Sequence, residues 1–177
     1  MEQTVTIHGK TFGIAISDAQ IAQAVGRIGA QISEELAGKD PLFICLLNGS
    51  YVFAADLLRA IPFNTQISFV KVASYHGMEA GSINSLIGLT EDVTGRTVVL
   101  VEDIIDSGNT VHNMRLQLAH LGAADIRVAT VLFKPQAFRH SYRVDYVGFE
   151  ITNEFVIGYG MDYDGLGRNL KDIYQLI

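Results

Sequence analysis

The chain is short of positive charge, nearly devoid of cysteine, and nowhere continuously apolar for long. Thirteen Lys and Arg stand against 19 Asp and Glu, giving a net charge of -6 and a pI near 5.2. Nucleic-acid backbones are held by clustered Lys and Arg, so this balance excludes a nucleic-acid surface as the organising function. Any anionic ligand must be gripped locally. The single cysteine, Cys45, excludes an intramolecular disulfide, and its place inside the apolar run LFICLL marks a small buried hydrophobe rather than a nucleophile. No stretch of about 18 uninterrupted apolar residues is present to cross a bilayer, and MEQTVTIHGK lacks the apolar run of a signal peptide. A soluble cytoplasmic protein is expected. Internal repeats, low-complexity tracts and interdomain linkers are also missing. With 177 residues and 49% hydrophobic content, one domain spanning residues 1–177 can bury a proper core.

What is present alternates between two periods. From Ser17, SDAQIAQAVGRIGAQISEELAG offers an N-cap serine, a glutamine three residues on, and Ile21, Val25, Ile28 and Ile32 at helical spacing, ending at Gly38. A buried run from Phe43 to Leu47 follows, bounded by Pro41 and Asn48-Gly49. A second helix is predicted on the spacing of Val52, Ala55 and Leu58. Gln66–Ala73, Thr97–Val101 and Ile126–Phe133 are further strand candidates, and a helix carrying Val111, Met114, Leu118 and Leu121 lies between the last two. This alternation predicts an α/β fold, a mostly parallel sheet covered by helices on both faces. Tyr75–Ser85, rich in glycine and poor in apolar residues, is predicted to be a long loop and a plausible lid; the part from Glu154 onward, with four glycines, is predicted to be irregular.

The segment VVLVEDIIDSGNT, Val98–Thr110, concentrates the chemistry. In open α/β sheets ligands bind beyond the carboxyl ends of the strands, where Glu102 and Asp103 are expected. Adjacent hard oxygens suit Mg²⁺ or the hydroxyls of a sugar; the bland alternative is a solvated acidic turn. Asp106-Ser107-Gly108-Asn109-Thr110 then precedes a helix. Free amides at a helix N-terminus, a glycine permitting close approach, and two hydroxyls make a phosphate cradle. Neither the Walker A ending nor GxGxxG is present.

VVLVEDIIDSGNT resembles the phosphoribosyl-pyrophosphate motif of the type I phosphoribosyltransferases, and the likeness extends to their hypoxanthine-guanine branch, from about Leu42 to Tyr174. Leu47-Asn48-Gly49-Ser50 is similar to that family's pyrophosphate loop, and Ser74-Tyr75 to the opening of its flexible loop. Phe133-Lys134-Pro135 resembles the lysine segment that reads the purine. Glu154–Tyr159, Met161-Asp162-Tyr163 and Arg168 resemble the C-terminal base and pyrophosphate segment.

The resemblance implies the type I phosphoribosyltransferase fold, with a small irregular hood built from the chain ends and supplied in part from about residue 150. It implies transfer of a 5-phosphoribosyl group from phosphoribosyl pyrophosphate to N9 of a 6-oxopurine, in purine salvage. Glu102 and Asp103 would hold the ribose hydroxyls, directly or through water and Mg²⁺. Ser107, Gly108, Asn109 and Thr110 would take the 5′-phosphate, with Asp106 accepting a proton from N7 of the base. Asn48, Gly49, Ser74, Tyr75 and Arg168 would meet pyrophosphate; Lys134 would donate to the 6-oxo group. Phe155 would stack on the base, with the Val156 backbone at its edge. Asp162 would lie beside the base and serve, through water, as a ligand at a second Mg²⁺ site. Family members are commonly dimers or tetramers, so a homo-oligomer is implied.

Taken singly, several of these residues have plainer readings. Asp162 could be a turn aspartate, Arg168 a surface cation, Lys134 a solvent-facing strand end, and Phe155 and Val156 core. Two positions also depart from the family pattern. Lys or Arg is common where this chain has Asn48, and again where it has Asn109. Two competing classes share some features: a non-catalytic nucleotide-binding regulator on the same fold, and a signalling receiver domain, whose acidic pair would come near the start of the chain.

Overall fold

The computed structural model describes residues 4–72 and 86–177. The expected lid Tyr75–Ser85 and the loop residues Ser74 and Tyr75 lie outside the described residues. The chain opens with a hairpin, β1 (Thr4–Ile7) and β2 (Lys10–Ile16), turned through His8-Gly9 with both residues at positive φ. Helix α1 (Asp18–Leu36) begins where its capping chemistry dictates. The Ser17 side chain accepts from the Gln20 amide, and the Gln20 side chain accepts from the Ser17 amide. Its buried stripe, Ile21, Val25, Ile28, Ile32 and Leu36, follows the expected period. Each such side chain contributes roughly 1.5–3 kcal/mol when fully buried.

The remaining elements are β3 (Leu42–Leu47), α2 (Tyr51–Arg59), β4 (Gln66–Val72), β5 (Leu86–Ile87), β6 (Thr97–Ile105), α3 (Asn109–His120), β7 (Asp125–Phe133), β8 (Tyr146–Glu150), β9 (Val156–Ile157) and β10 (Ile173–Leu176). A six-stranded sheet runs in the order β5-β4-β3-β6-β7-β8, parallel throughout except at β5. Alternation along β3 shows both faces covered. Phe43 and Cys45 pack with α1 and α2, whereas Leu42, Ile44 and Leu46 pack with Val111, Met114 and Leu118 of α3. Cys45 has no exposed surface, and burial pushes its thiol up to about 12, as a small hydrophobe in a dry core requires.

Three expectations need correction. The helix after β3 buries Phe53, Ala54 and Leu57, while Ala55 is exposed. In YVFAADLLR apolar residues occupy nearly every position, so spacing alone does not choose the face. The strand expected to stop at Val101 continues to Ile105, because β7 keeps pairing with it through Ile104↔Leu132 and Ile105↔Phe133 after its pairing with β3 has stopped at Cys45↔Val101. The hood is also more regular than its glycines suggest. The chain ends build an antiparallel sheet in the order β1-β2-β10-β9, in which β2 pairs with β10 from Ile173↔Ile16 to Leu176↔Phe12, residues at opposite ends of the sequence. Val156, Tyr159, Met161 and Ile173 of this part join the core that contains α1 and α2.

Candidate active site at the end of the parallel sheet

The acidic pair sits where the pairing of β6 with β3 stops and its pairing with β7 goes on. Since β3 pairs with β6 only as far as Val101, Glu102 and Asp103 have β7 on one side and the β3–α2 turn on the other. Glu102 is 8% exposed. Burial, then the neighbouring Asp103, pushes its carboxyl pKa well above the usual carboxylate range. Asp103 is fixed by its own backbone: its Oδ1 accepts from the Ile104 amide at 2.8 Å, and its carbonyl accepts from the buried Thr130 hydroxyl at 3.2 Å.

The β3–α2 turn is packed directly against this pair. A Cβ built on Gly49 would overlap the Asp103 carboxylate, and one built on Gly160 would overlap the Gly49 carbonyl. Only glycine at 49 lets the turn approach the acid so closely. The Leu47–Asn48 peptide is cis, and the Asn48 side chain is exposed. Gly160 brings the hood to the same point. Arg168 closes around it, donating Nη1 to the Gly160 carbonyl at 2.7 Å while its Nη2 lies 2.6 Å from Asp162 Oδ1. Asp162 Oδ2 accepts from the Gly165 amide at 2.7 Å, so both its oxygens are engaged. On the far side, the Tyr159 hydroxyl donates to Asp56 of α2 at 2.7 Å and ties the hood to the first layer.

After β6 the chain turns at Asp106-Ser107-Gly108 into α3. Gly108 is the N-cap at φ 82°, and no side chain caps the helix. Its first turn carries no acid, and the first intrahelical bond runs from the His112 amide to the Gly108 carbonyl. The Asn109 amide reaches the Ser107 hydroxyl oxygen at 3.5 Å, and the Thr110 and Val111 amides are left without an intrahelical partner, with the positive end of the helix behind them, the arrangement that binds anions. The Thr110 side chain is exposed at this turn. Gly108 has a second reason to be glycine: a Cβ would lie 2.5 Å from Phe138 Cε2 and 2.9 Å from the Tyr142 hydroxyl.

At the end of β7, Lys134 is buried, with its side chain 10% exposed, and its Nζ lies 3.0 Å from Asp106 Oδ2. The reading of Lys134 as a solvent-facing strand end does not hold. Asp106 itself is 59% exposed, so the pair opens on solvent through the carboxylate. Phe155 is 46% exposed and packs edge-on against Tyr163 with centroids 5.6 Å apart. Val156 is buried in β9.

Contacts thus join Glu102, Asp103, Gly49, Arg168 and Asp162 in one row and Asp106 with Lys134 beside it. Sequence reasoning missed Gly160, whose signal was a glycine between Tyr159 and Met161, and the segment Phe138–Tyr142, whose signal was a cluster of aromatic and histidine residues just past the lysine segment. Among the described residues no group of three or more His, Cys, Asp or Glu side chains is arranged to hold a metal ion. The adjacent Glu102 and Asp103 carboxylates nevertheless fit Mg²⁺. That ion keeps several waters and takes its other oxygens from bound phosphates, and a cation would favour the ionised form of Glu102 that burial and Asp103 disfavour. No helix among the described residues is long and apolar enough to cross a membrane.

Comparison with known proteins gives the same direction throughout. A family model described as phosphoribosyl transferase domain matches residues 15–164. The hypoxanthine-guanine phosphoribosyltransferase of Streptococcus pneumoniae R6 is 41% identical over 162 residues, covering 90% of each chain. That of Mycobacterium tuberculosis H37Rv is 37% identical over 183 residues, covering 98% of this chain and 91% of its own. A crystal structure of a hypoxanthine-guanine phosphoribosyltransferase from Bacillus anthracis superposes with a TM-score of 0.84 at 34% identity, over 93% of this chain and 96% of that one. A receiver domain is thereby ruled out. With its parallel sheet, acidic strand end and hood, the chain belongs to the type I phosphoribosyltransferases, in their hypoxanthine-guanine branch.

Proposed function

We propose that the protein transfers the 5-phosphoribosyl group of phosphoribosyl pyrophosphate to N9 of hypoxanthine or guanine, releasing pyrophosphate and serving purine salvage. The observation that carries this reading is the Lys134–Asp106 pair beside an uncapped helix N-terminus. A cationic donor and a carboxylate acceptor 3.0 Å apart complement the adjacent O6 acceptor and N7–H donor on one edge of a 6-oxopurine. As N9 bonds to C1′ and the C1′–O bond to pyrophosphate breaks, the N7 proton passes to Asp106 and the electron pair of the broken bond leaves with pyrophosphate. Lys134 holds O6 throughout.

The amides and hydroxyls of Ser107–Thr110 bind the 5′-phosphate, and Glu102 and Asp103 orient the ribose hydroxyls. Asn48 and Gly49 meet pyrophosphate through their backbone. Arg168, held by Asp162 and the Gly160 carbonyl, adds charge on the hood side. Mg²⁺ on the Glu102–Asp103 side would neutralise the departing pyrophosphate, and contact with the engaged Asp162 carboxylate would run through water. Phe155 covers one face of the base, with the Val156 backbone at its edge. In this reading the protein is a cytoplasmic homo-oligomer, and its two sheets form one domain over residues 1–177. Ile67 and Phe69 of β4 are 36% and 41% exposed and offer apolar surface for assembly.

The test is purified protein with Mg²⁺, phosphoribosyl pyrophosphate and either hypoxanthine or guanine, followed by chromatography. Formation of the nucleoside monophosphate and pyrophosphate in equal amounts is expected. Binding of both substrates without turnover would instead make the protein a regulator on an enzyme's fold.

A further inference from the structure

Three successive residues of the phosphate cradle are each held by one neighbouring segment. Ser107 accepts through its carbonyl from the Arg139 amide at 3.2 Å, and Gly108 accepts through its carbonyl from the Tyr142 hydroxyl at 2.9 Å. The Asn109 Oδ1 lies 2.9 Å from His140 Nε2. The loop between β7 and β8 therefore follows the cradle residue by residue. Aromatic packing stiffens it: Phe138 stands edge-on to both Phe133 and Tyr142, with centroids 5.2 and 5.0 Å away, and fills the space that a side chain at Gly108 would need.

The rings behind the cradle form a column. His140 stacks on His112 of α3 with centroids 4.2 Å apart and planes 15° apart, and Tyr142 lies 5.6 Å from His140 at 24°. On α3, the Arg115 guanidinium sits 5.0 Å from the Tyr142 ring and donates to the Ile126 carbonyl at 2.7 Å. A cavity of about 460 Å³ opens beside the column, and the side chains lining it include Arg115, Arg139, His112 and His140 but no carboxylate. In a chain of net charge -6 this is a local reversal of sign.

We propose that Tyr142 and His140 are positioning residues of the phosphate cradle, and that His140, joined to Asn109, supplies the cradle with a positive charge that comes and goes with protonation. The inference rests on the reading that Ser107–Thr110 takes the 5′-phosphate. Asn109 contributes no charge of its own, but its amide oxygen is an acceptor that either the Nε2–H tautomer or the imidazolium can satisfy. Donation from the charged form is the stronger bond. The groups facing His140 are His112 from α3 and Tyr142 and Phe138 from its own loop, with Arg139 next to it in the chain and Arg115 beyond Tyr142. Partial burial and the charge of His112 lower the pKa of His140, so the free protein holds a proton there less readily than an unperturbed imidazole does. A phosphate dianion in the cradle acts in the opposite sense, and binding should draw a proton onto the column.

The experiment is calorimetric titration with inosine monophosphate in two buffers of different ionisation enthalpy, which reads protons taken up on binding. Inosine, lacking the phosphate, is the control. Wild type should take up more protons near pH 6.5 than the ligand's own phosphate accounts for. His140→Gln should lose that increment and bind about three- to tenfold more weakly at pH 6, yet within about twofold of wild type at pH 8.5. Tyr142→Phe should weaken binding about threefold at both pH values and keep the proton uptake. His112→Asn, which removes the repelling neighbour, should move the uptake to higher pH. Equal uptake and equal affinity in wild type and His140→Gln, or an uptake unmoved by His112→Asn, would overturn the proposal. Wild type binding inosine as tightly as its monophosphate would overturn the cradle reading instead.

Discussion

Asp106 and Lys134 hold each other in the free protein, and in the proposed reading that mutual grip prepares them for a base. Each is satisfied before binding, so a purine edge that offers an acceptor to Lys134 and a proton to Asp106 exchanges one hydrogen-bonded arrangement for another. The cost of leaving the buried ammonium of Lys134 unpaired is avoided in both states. Asp106→Asn preserves the shape and an oxygen facing Lys134 but removes the proton acceptor. Turnover is expected to fall by roughly 10²- to 10⁴-fold, with the protein still folded, a thermal transition lowered by the loss of Lys134's counter-charge, and little change in the binding of phosphoribosyl pyrophosphate. Steady-state kinetics and a melting curve check this, and undiminished turnover would remove Asp106 from proton transfer. Both residues were legible in the sequence by resemblance. The ion pair between them was not, since 28 positions separate them and only the register of β6 on β7 brings the two strand ends level.

Elements were legible in proportion to how completely their own residues specify them. α1 carries both halves of a capping box and an unbroken stripe, and it formed as expected. α2 carries too many apolar residues for its spacing to choose a face, and the choice fell to packing against Phe43 and α1. The hood strands depend on partners at the other end of the chain, so no local pattern marked β9 and β10 as sheet. The β3–α2 turn shows the same division. Its composition suggested a loop, but the packing of Gly49 onto Asp103 and of Gly160 onto Gly49 belongs to three segments at once. With the Asn48 side chain exposed, a cation at 48 would leave the turn undisturbed and, in the proposed reading, face pyrophosphate. Asn48→Lys should strengthen binding of phosphoribosyl pyrophosphate by about 0.5–1.5 kcal/mol, since solvent screens a partly exposed contact, and less at high salt. Titration at two ionic strengths decides it: equal affinity at low salt would mean that position 48 does not face the pyrophosphate.

At the scale of the molecule, the proposed reading has an acidic chain handle a highly phosphorylated substrate by placing its few positive features along one rim. The α3 N-terminus, Lys134, Arg168 and the His140 column occupy separate elements, and the end of the parallel sheet brings them around Glu102 and Asp103. Net charge and composition could exclude functions but could not show this rim, because charge placement depends on which strand ends are level. The measurement that tests the account most directly is a crystal structure of the protein with inosine monophosphate bound. The phosphate is expected within hydrogen-bonding distance of the amides of Ser107–Thr110, O6 at Lys134 Nζ, N7 on the Asp106 side of that pair with the transferred proton between N7 and the carboxyl, and the ribose hydroxyls towards Glu102 and Asp103. A nucleotide whose phosphate lies elsewhere, or whose purine edge turns away from the Lys134–Asp106 pair, would contradict it.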